Sequence, residues 1–301
     1  MLPDGPCADY HGHMDLHSRG AHRTALSSGS RVAFFGGSFD PPHLGHLGVA
    51  RAARAALCLD AVLFAPVGAQ PLKPRGTVAG FEARLAMTRL AIADDPGFAL
   101  SLDDAPKPSG APNYTLETLL ALRVNLPPRS VLYCLMGADS FATFRRWHRA
   151  AEIPFVAPLI VASRPGQPLD NLDSALPDGL SLETEGSGDF TAYGNTHSAS
   201  QEVSGHDFSR AVSATKQMRA LAPEVRPSAE EIALRHYILR NPAGQQSHFY
   251  LLPGLHIDIS ASGIRDLIRA QSLPSSAAHA SRPHLLPPPV LEYIRSHNLY
   301  R

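Results

Sequence analysis

The sequence predicts an α/β fold: a doubly wound, mostly parallel sheet with helices on both faces and a C-terminal helical segment. Three observations predict it. Short runs such as Val32-Ala33-Phe34-Phe35 and Val131-Leu132-Tyr133-Cys134-Leu135-Met136 are apolar at every position, as strands covered on both faces must be. Longer runs rich in Ala, Leu and Arg alternate with them and have the length and composition of helices. Gly36-Gly37 closes the first apolar run just before one of these helices, where such sheets turn over their C-terminal edge and bind ligands.

In chain order, a strand over 32–35 leads into a helix over 44–57, and 61–65 forms the next strand. A loop with Pro66, Pro71 and Pro74 follows, because proline cannot continue either element. The next helix covers 81–93, with Glu82, Arg84 and Arg89 expected outside. Strands are expected at 98–102, 131–136 and 159–162, with a helix over 114–124 between the first two. Regular structure resumes with a strand at 249–252, a short strand flanked by Ile257 and Ile259, and helices over 262–270 and 288–297.

Two stretches break this pattern. Residues 1–30 are rich in His, Ser, Gly and Asp without a period and read as a flexible tail. His11, His13, His17 and His22 lie there, with no Cys or carboxylate spacing that completes a metal site. Residues 171–245 read as a partly disordered insertion with one helix over 229–239. The expected organisation is one domain, 31–301, carrying that insertion.

Lys+Arg and Asp+Glu both number 27, so no global field attracts nucleic acid or an acidic membrane, and any polyanion needs a local site. Cys7, Cys58 and Cys134 are far apart and lack CxxC spacing, which fits reduced thiols. No run is long and apolar enough to span a bilayer. Asp4, Asp9 and several His interrupt the region where a secretory signal would lie. A cytoplasmic location is the resulting expectation.

The segment Gly36-Gly37-Ser38-Phe39-Asp40-Pro41-Pro42-His43-Leu44-Gly45-His46 carries the chemistry. It opens the first helix, whose N-terminal N–H groups and partial positive charge suit phosphate. His43 and His46 are three apart and share a helix face, so two imidazoles can donate to a phosphate chain. Gly45 leaves room for an adenine or ribose. The segment matches neither GxxxxGK[ST] nor GxGxxG, which excludes a Walker loop and a dinucleotide fingerprint. A later segment, Asp258-Ile259-Ser260-Ala261-Ser262-Gly263-Ile264-Arg265, offers an N-cap hydroxyl and a guanidinium in the first turn of another helix.

The glycine and histidine segment resembles the GGSFDPxHxGH signature of bacterial nicotinate-nucleotide adenylyltransferases, in the HxGH nucleotidyltransferase superfamily, whose fold is Rossmann-like. The 258–265 segment resembles that family's ISxTxIR element, with Ser262 in the usual Thr place. Further segments are similar to the family's: Ala111-Pro112-Asn113-Tyr114-Thr115, Gly137-Ala138-Asp139-Ser140, and Phe144-Arg145-Arg146-Trp147. So are Ile160-Val161-Ala162-Ser163-Arg164-Pro165-Gly166 and, with Leu72 replacing a His, Gln70-Pro71-Leu72-Lys73-Pro74. The C-terminal 285–294 run resembles the closing helix. The resemblance covers 31–170 and 248–301. Pantetheine-phosphate adenylyltransferases resemble the chain less, usually having Thr where His43 stands. A class I aminoacyl-tRNA synthetase would need a KMSKS stretch, which is missing. The remaining alternatives are an adenylyltransferase of the same superfamily with nicotinamide mononucleotide or phosphopantetheine as acceptor, and a non-catalytic nucleotide sensor.

The resemblance implies transfer of an adenylyl group from ATP to nicotinate mononucleotide, releasing pyrophosphate, with Mg²⁺ arriving on ATP. It implies catalytic roles for His43, His46, Lys73 and Arg265. ATP would contact Gly36, Gly37, Ser38, Phe39, His43 and His46 from one side. Gly137, Asp139, Ser260, Ser262, Ile264 and Arg265 would contact it from others. The mononucleotide would meet Ser38, Lys73, Tyr114, Thr115, Trp147 and Arg164. By residue type alone, simple core packing for Trp147 and a solvated strand end for Arg164 are the competing, less favoured readings. No nucleic acid or membrane partner is implied.

Overall fold

The computed structural model describes residues 26–73, 76–163, 172–184, 234–252, 259–271 and 285–301. The chain begins with β1 (Arg31–Gly37), α1 (Leu44–Leu57), β2 (Ala61–Pro66), α2 (Phe81–Ile92) and β3 (Phe98–Leu100). It continues through α3 (Thr115–Asn125), β4 (Val131–Gly137), the short α4 (Ala138–Phe141) and α5 (Ile153–Val156), then β5 (Leu159–Ala162). The later elements are α6 (Leu172–Ala175), β6 (Ser181–Thr184), β7 (Arg235–Arg240), β8 (Gln246–Leu252), α7 (Ala261–Gln271) and α8 (Pro288–Ser296).

The eight strands among the described residues join one sheet in the order β3-β2-β1-β4-β5-β8-β7-β6. Pairing is parallel from β3 through to β8 and antiparallel for β8–β7–β6. The order reverses between β1 and β4, which opens a crevice at their C-terminal ends.

The apolar runs have the expected cause. Along β1, Val32 and Phe34 enter one buried cluster with Leu116, Leu119 and Leu122 of α3. Ala33 and Phe35 enter another with Leu47, Ala50 and Ala53 of α1. Alternate residues thus face opposite helical layers, so a strand with no polar position is required. A third cluster joins Met87 of α2, Ile264 of α7, and Val290 and Ile294 of α8.

Three expectations need correction. Within the stretch 229–239, expected as a helix, the chain is instead extended: Arg235–Arg240 is strand β7. Every residue of it pairs with β8, and Leu239 is buried in the cluster that holds Phe249. The unpaired edge of β8 outweighs the helix propensity of this Leu- and Arg-containing run. The 171–245 stretch therefore contains ordered α6, β6, β7 and the turn into β8. Arg84, expected outside, is 1% exposed. At the other end, Ser30 and Gly29, expected in the tail, hydrogen-bond with Val131 and Pro128. His11, His13, His17, His22 and most of the strand expected around Ile257 lie outside the described residues. Among the described residues, no helix is long and apolar enough to cross a membrane.

Candidate active site

A cavity of about 660 Å³ opens at the switch point. Its walls come from the turn after β1, the N-terminal turn of α1, the loop after β2, the start of α3, the ends of β4 and β5, and the start of α7.

The turn after β1 is shaped by glycine and a buried aromatic ring. A Cβ on Gly36 would lie 2.8 Å from the Phe34 ring, so no larger residue fits without displacing it. Phe39 is 2% exposed and packs edge-on against Phe35 and His46. His43 caps α1, and its backbone N–H donates to His46 Nδ1 at 3.2 Å. With Nδ1 engaged as an acceptor, the ring N–H of His46 is the one at Nε2. The two imidazoles stack at 3.7 Å between centroids, and both line the cavity.

Arg265 reaches this turn from the far end of the sequence. Its Nη1 donates to the Asp40 carbonyl at 2.7 Å, and its Nη2 to Ser262 Oγ at 2.9 Å. Ser260 Oγ accepts from the Gly263 N–H and caps α7. Asp40 is 4% exposed; Val78 and Ala79 N–H and the Tyr300 hydroxyl donate to its carboxylate.

Arg84 holds the same turn from below. It donates to the carbonyls of Ser38 (2.7 Å), Val67 (2.8 Å) and Ala79 (3.2 Å), binding the loops after β1 and β2 to α2. Lys73 donates to Ser38 Oγ at 2.9 Å, and Ser38 Oγ donates to Gln70 Oε1 at 3.0 Å. Loss of water lowers the Lys73 pKa from its ordinary value; Asp40 raises it, while Arg265 and Arg84 lower it further. Lys73 and Arg265 line the cavity beside Asp40, with Arg84 beneath the same turn, an arrangement suited to a polyanion.

The other half of the cavity is aromatic. Tyr114 and His148 rings lie 4.3 Å apart, and Trp147 packs on buried Phe144 while also lining the cavity. Trp147 thus serves both as core packing and as cavity wall. Thr115 begins α3, and Gly137 and Asp139 line the wall at the end of β4.

The structure thus gathers Gly36, Gly37, Ser38, Phe39, His43, His46, Lys73, Tyr114, Thr115, Gly137, Asp139, Trp147, Ser260, Ser262 and Arg265 around one space. Ile264 does not join them: its side chain is 4% exposed and packs in the α2–α7–α8 cluster. Arg164 lies outside the described residues. Sequence reasoning missed Asp104, Arg146 and His148, which also line the cavity. Asp104 had a signal, since it follows β3 at the same sheet edge. It is 5% exposed and accepts from Thr118 Oγ1 at 2.9 Å. Burial pushes its carboxyl up to about 6. The Cys134 thiol, another part of the wall, is pushed by burial up to about 12 and stays protonated.

Sheet order, crevice and the paired imidazoles define a nucleotidyltransferase, and the chain belongs to the cytidylyltransferase-like family, whose profile matches residues 34–266. Its relatives include nicotinate-nucleotide adenylyltransferases. A Thermus thermophilus protein named "Probable nicotinate-nucleotide adenylyltransferase" is 43% identical over 140 residues, covering 46% of this chain and 73% of that one. A Roseiflexus protein of the same name is 41% identical over 160 residues, covering 52% and 78%. Among solved structures, the Plasmodium falciparum nicotinic acid mononucleotide adenylyltransferase complexed with NaAD shares the fold. Its TM-score is 0.53 at 12% identity, over 90% of this chain and 97% of that one.

Proposed function

We propose that this chain transfers the adenylyl group of ATP to nicotinate mononucleotide, giving nicotinate adenine dinucleotide and pyrophosphate. One observation carries the reading. The imidazole pair of α1 and the guanidinium of α7, 225 residues from its Asp40 partner, face the same cavity. The aromatic half of that cavity supplies a place for a pyridine ring.

The acceptor phosphate is already anionic at neutral pH, so attack needs no strong base. A phosphate oxygen forms a bond to the α-phosphorus, the bond to the bridging oxygen breaks, and pyrophosphate leaves with the electron pair. Catalysis then rests on positioning and charge stabilisation. His43 and His46 donate to the ATP phosphates, with Gly36 and Gly37 allowing close backbone approach. Lys73 and Arg265 offset charge on the leaving pyrophosphate. Ser38, held by Lys73 and Gln70, meets the acceptor phosphate, and Arg164 is assigned there too. Tyr114, Thr115 and Trp147 enclose the base.

Mg²⁺ delivered with ATP would neutralise phosphate charge. Among the described residues no group of three or more His, Cys, Asp or Glu converges on a point. Asp40 already accepts three hydrogen bonds. Such an ion would be held chiefly by phosphate oxygens and water.

The test is pyrophosphate release from ATP with nicotinate mononucleotide, nicotinamide mononucleotide or phosphopantetheine as acceptor. Turnover is expected to be fastest with nicotinate mononucleotide. Faster turnover with phosphopantetheine, or none with any acceptor, overturns the reading.

A further inference from the structure

The segment after α4 carries three arginines whose charges have different fates. Arg145 pairs with Asp178 at 3.3 Å, and Arg149 pairs with Glu152 at 2.6 Å. Both point their charge at surface carboxylates. Arg146, between them, lines the cavity and has no ion pair among the described residues. Its place is set from beneath. It ends the turn Phe144–Arg146, and Phe144 is fully buried against Phe141 and Trp147. The backbone that carries Arg146 is therefore anchored to the core while the residue lines the cavity.

Its neighbours there are the groups that would enclose a pyridine ring. Trp147 follows it, the His148 ring lies tilted against Tyr114, and Thr115 opens α3. The first turn of α3 adds partial positive charge. Of the carboxylates on the cavity wall, Asp40 is engaged by Tyr300 and Asp104 by Thr118, while Asp139 stands at the β4–α4 turn. The base end of the cavity thus includes an arginine with no ion pair among the described residues. A nicotinate carboxylate matches its planar donor fork, whereas a neutral carboxamide leaves the charge unpaired.

We infer that Arg146 reads the carboxylate of the acceptor's pyridine ring and sets the preference for nicotinate over nicotinamide. This rests on the acceptor class proposed above. It adds a residue to which neither the motif spacing nor the family resemblance gives a role.

The experiment measures kcat and KM for nicotinate and nicotinamide mononucleotides in the unsubstituted chain, Arg146→Gln and Arg146→Lys. Arg146→Gln should lower kcat/KM for the nicotinate substrate by roughly tenfold or more, mainly through KM. The nicotinamide substrate should change by less than about twofold, and Arg146→Lys should restore part of the preference. Arg146 is exposed, so the thermal midpoint should not move. Equal losses with both substrates would place Arg146 on their shared phosphate or on the scaffold and overturn the inference. An unchanged ratio overturns it as well. An unsubstituted chain that turns over neither mononucleotide overturns the proposed function, and this inference with it. Activity on nicotinate mononucleotide with a ratio indifferent to Arg146 overturns the inference alone.

Discussion

The hydroxyl of Tyr300 donates to Asp40 Oδ1 at 2.7 Å, closing a loop of 260 residues. Tyr300 is 5% exposed and belongs to the cluster that seats α8 on α2 and α7. Asp40 in turn gives its carbonyl to Arg265. The end of the described chain thus supports the backbone that aims the phosphate-binding groups. Tyr300→Phe keeps the ring and removes only this donor. It should cost about 1–3 kcal/mol in urea unfolding and raise KM for ATP more than KM for the mononucleotide. A mutant that merely loses folded protein would show lower apparent kcat with both KM values intact.

His46→Ala should reduce kcat by two or more orders of magnitude, the scale of a lost transition-state donor. His46 is not in the fully buried core, so circular dichroism should show an intact fold. Near-normal turnover would remove His46 from the chemistry.

Arg84→Met removes the donors of three backbone carbonyls, two of which belong to the turns on either side of the site. Methionine approximates the stem but leaves those oxygens unpaired. A loss on the order of 3 kcal/mol in chemical denaturation is expected. A loss under about 1 kcal/mol would mean that water takes over the bonds.

Asp104 makes stability depend on pH in a defined direction. Its ordinary value of 3.8 is raised in the fold to about 6. Below 3.8 both folded and unfolded states hold the proton, so the buried acid costs no charge burial. As pH climbs through this window the unfolded chain releases its proton first, and stability falls by a total on the order of 3 kcal/mol. Asp104→Asn can still accept from Thr118 and cannot ionise. The stability difference between mutant and unsubstituted chain should therefore shift toward the mutant between about pH 4 and about 6.5. A difference that stays flat across that range, in urea unfolding at each pH, would contradict the assignment.

The parallel half of the sheet was legible because β1, β2, β4 and β5 must be apolar on both faces, which leaves a mark at every position. The helix over 44–57 is readable with its observed bounds because His43 and Cys58 flank an unbroken Ala- and Leu-rich run. Strand β7 was not legible. Its structure depends on β8 presenting an open edge, and nothing within 235–240 records that. Arg84 misleads for the same kind of reason: a guanidinium inside a protein needs several carbonyls, here Ser38 after β1 and Val67 and Ala79 from the two ends of the β2–α2 loop, which only the fold assembles. At the site, the glycine and histidine segment announced itself through spacing. Asp104 could be read from its place after β3 at the same sheet edge, whereas Arg146 and His148 gain meaning only from the space they share, and Ile264 was drawn in by its neighbours although its side chain turns to the core.

Because the Arg265–Asp40 and Tyr300–Asp40 bonds join the most distant described parts of the chain, they belong to the late events of folding, after the local helices and hairpins. Refolding should recover far-ultraviolet ellipticity before it recovers turnover. Catalysis would then be the most stringent available gauge of whether a molecule has finished folding.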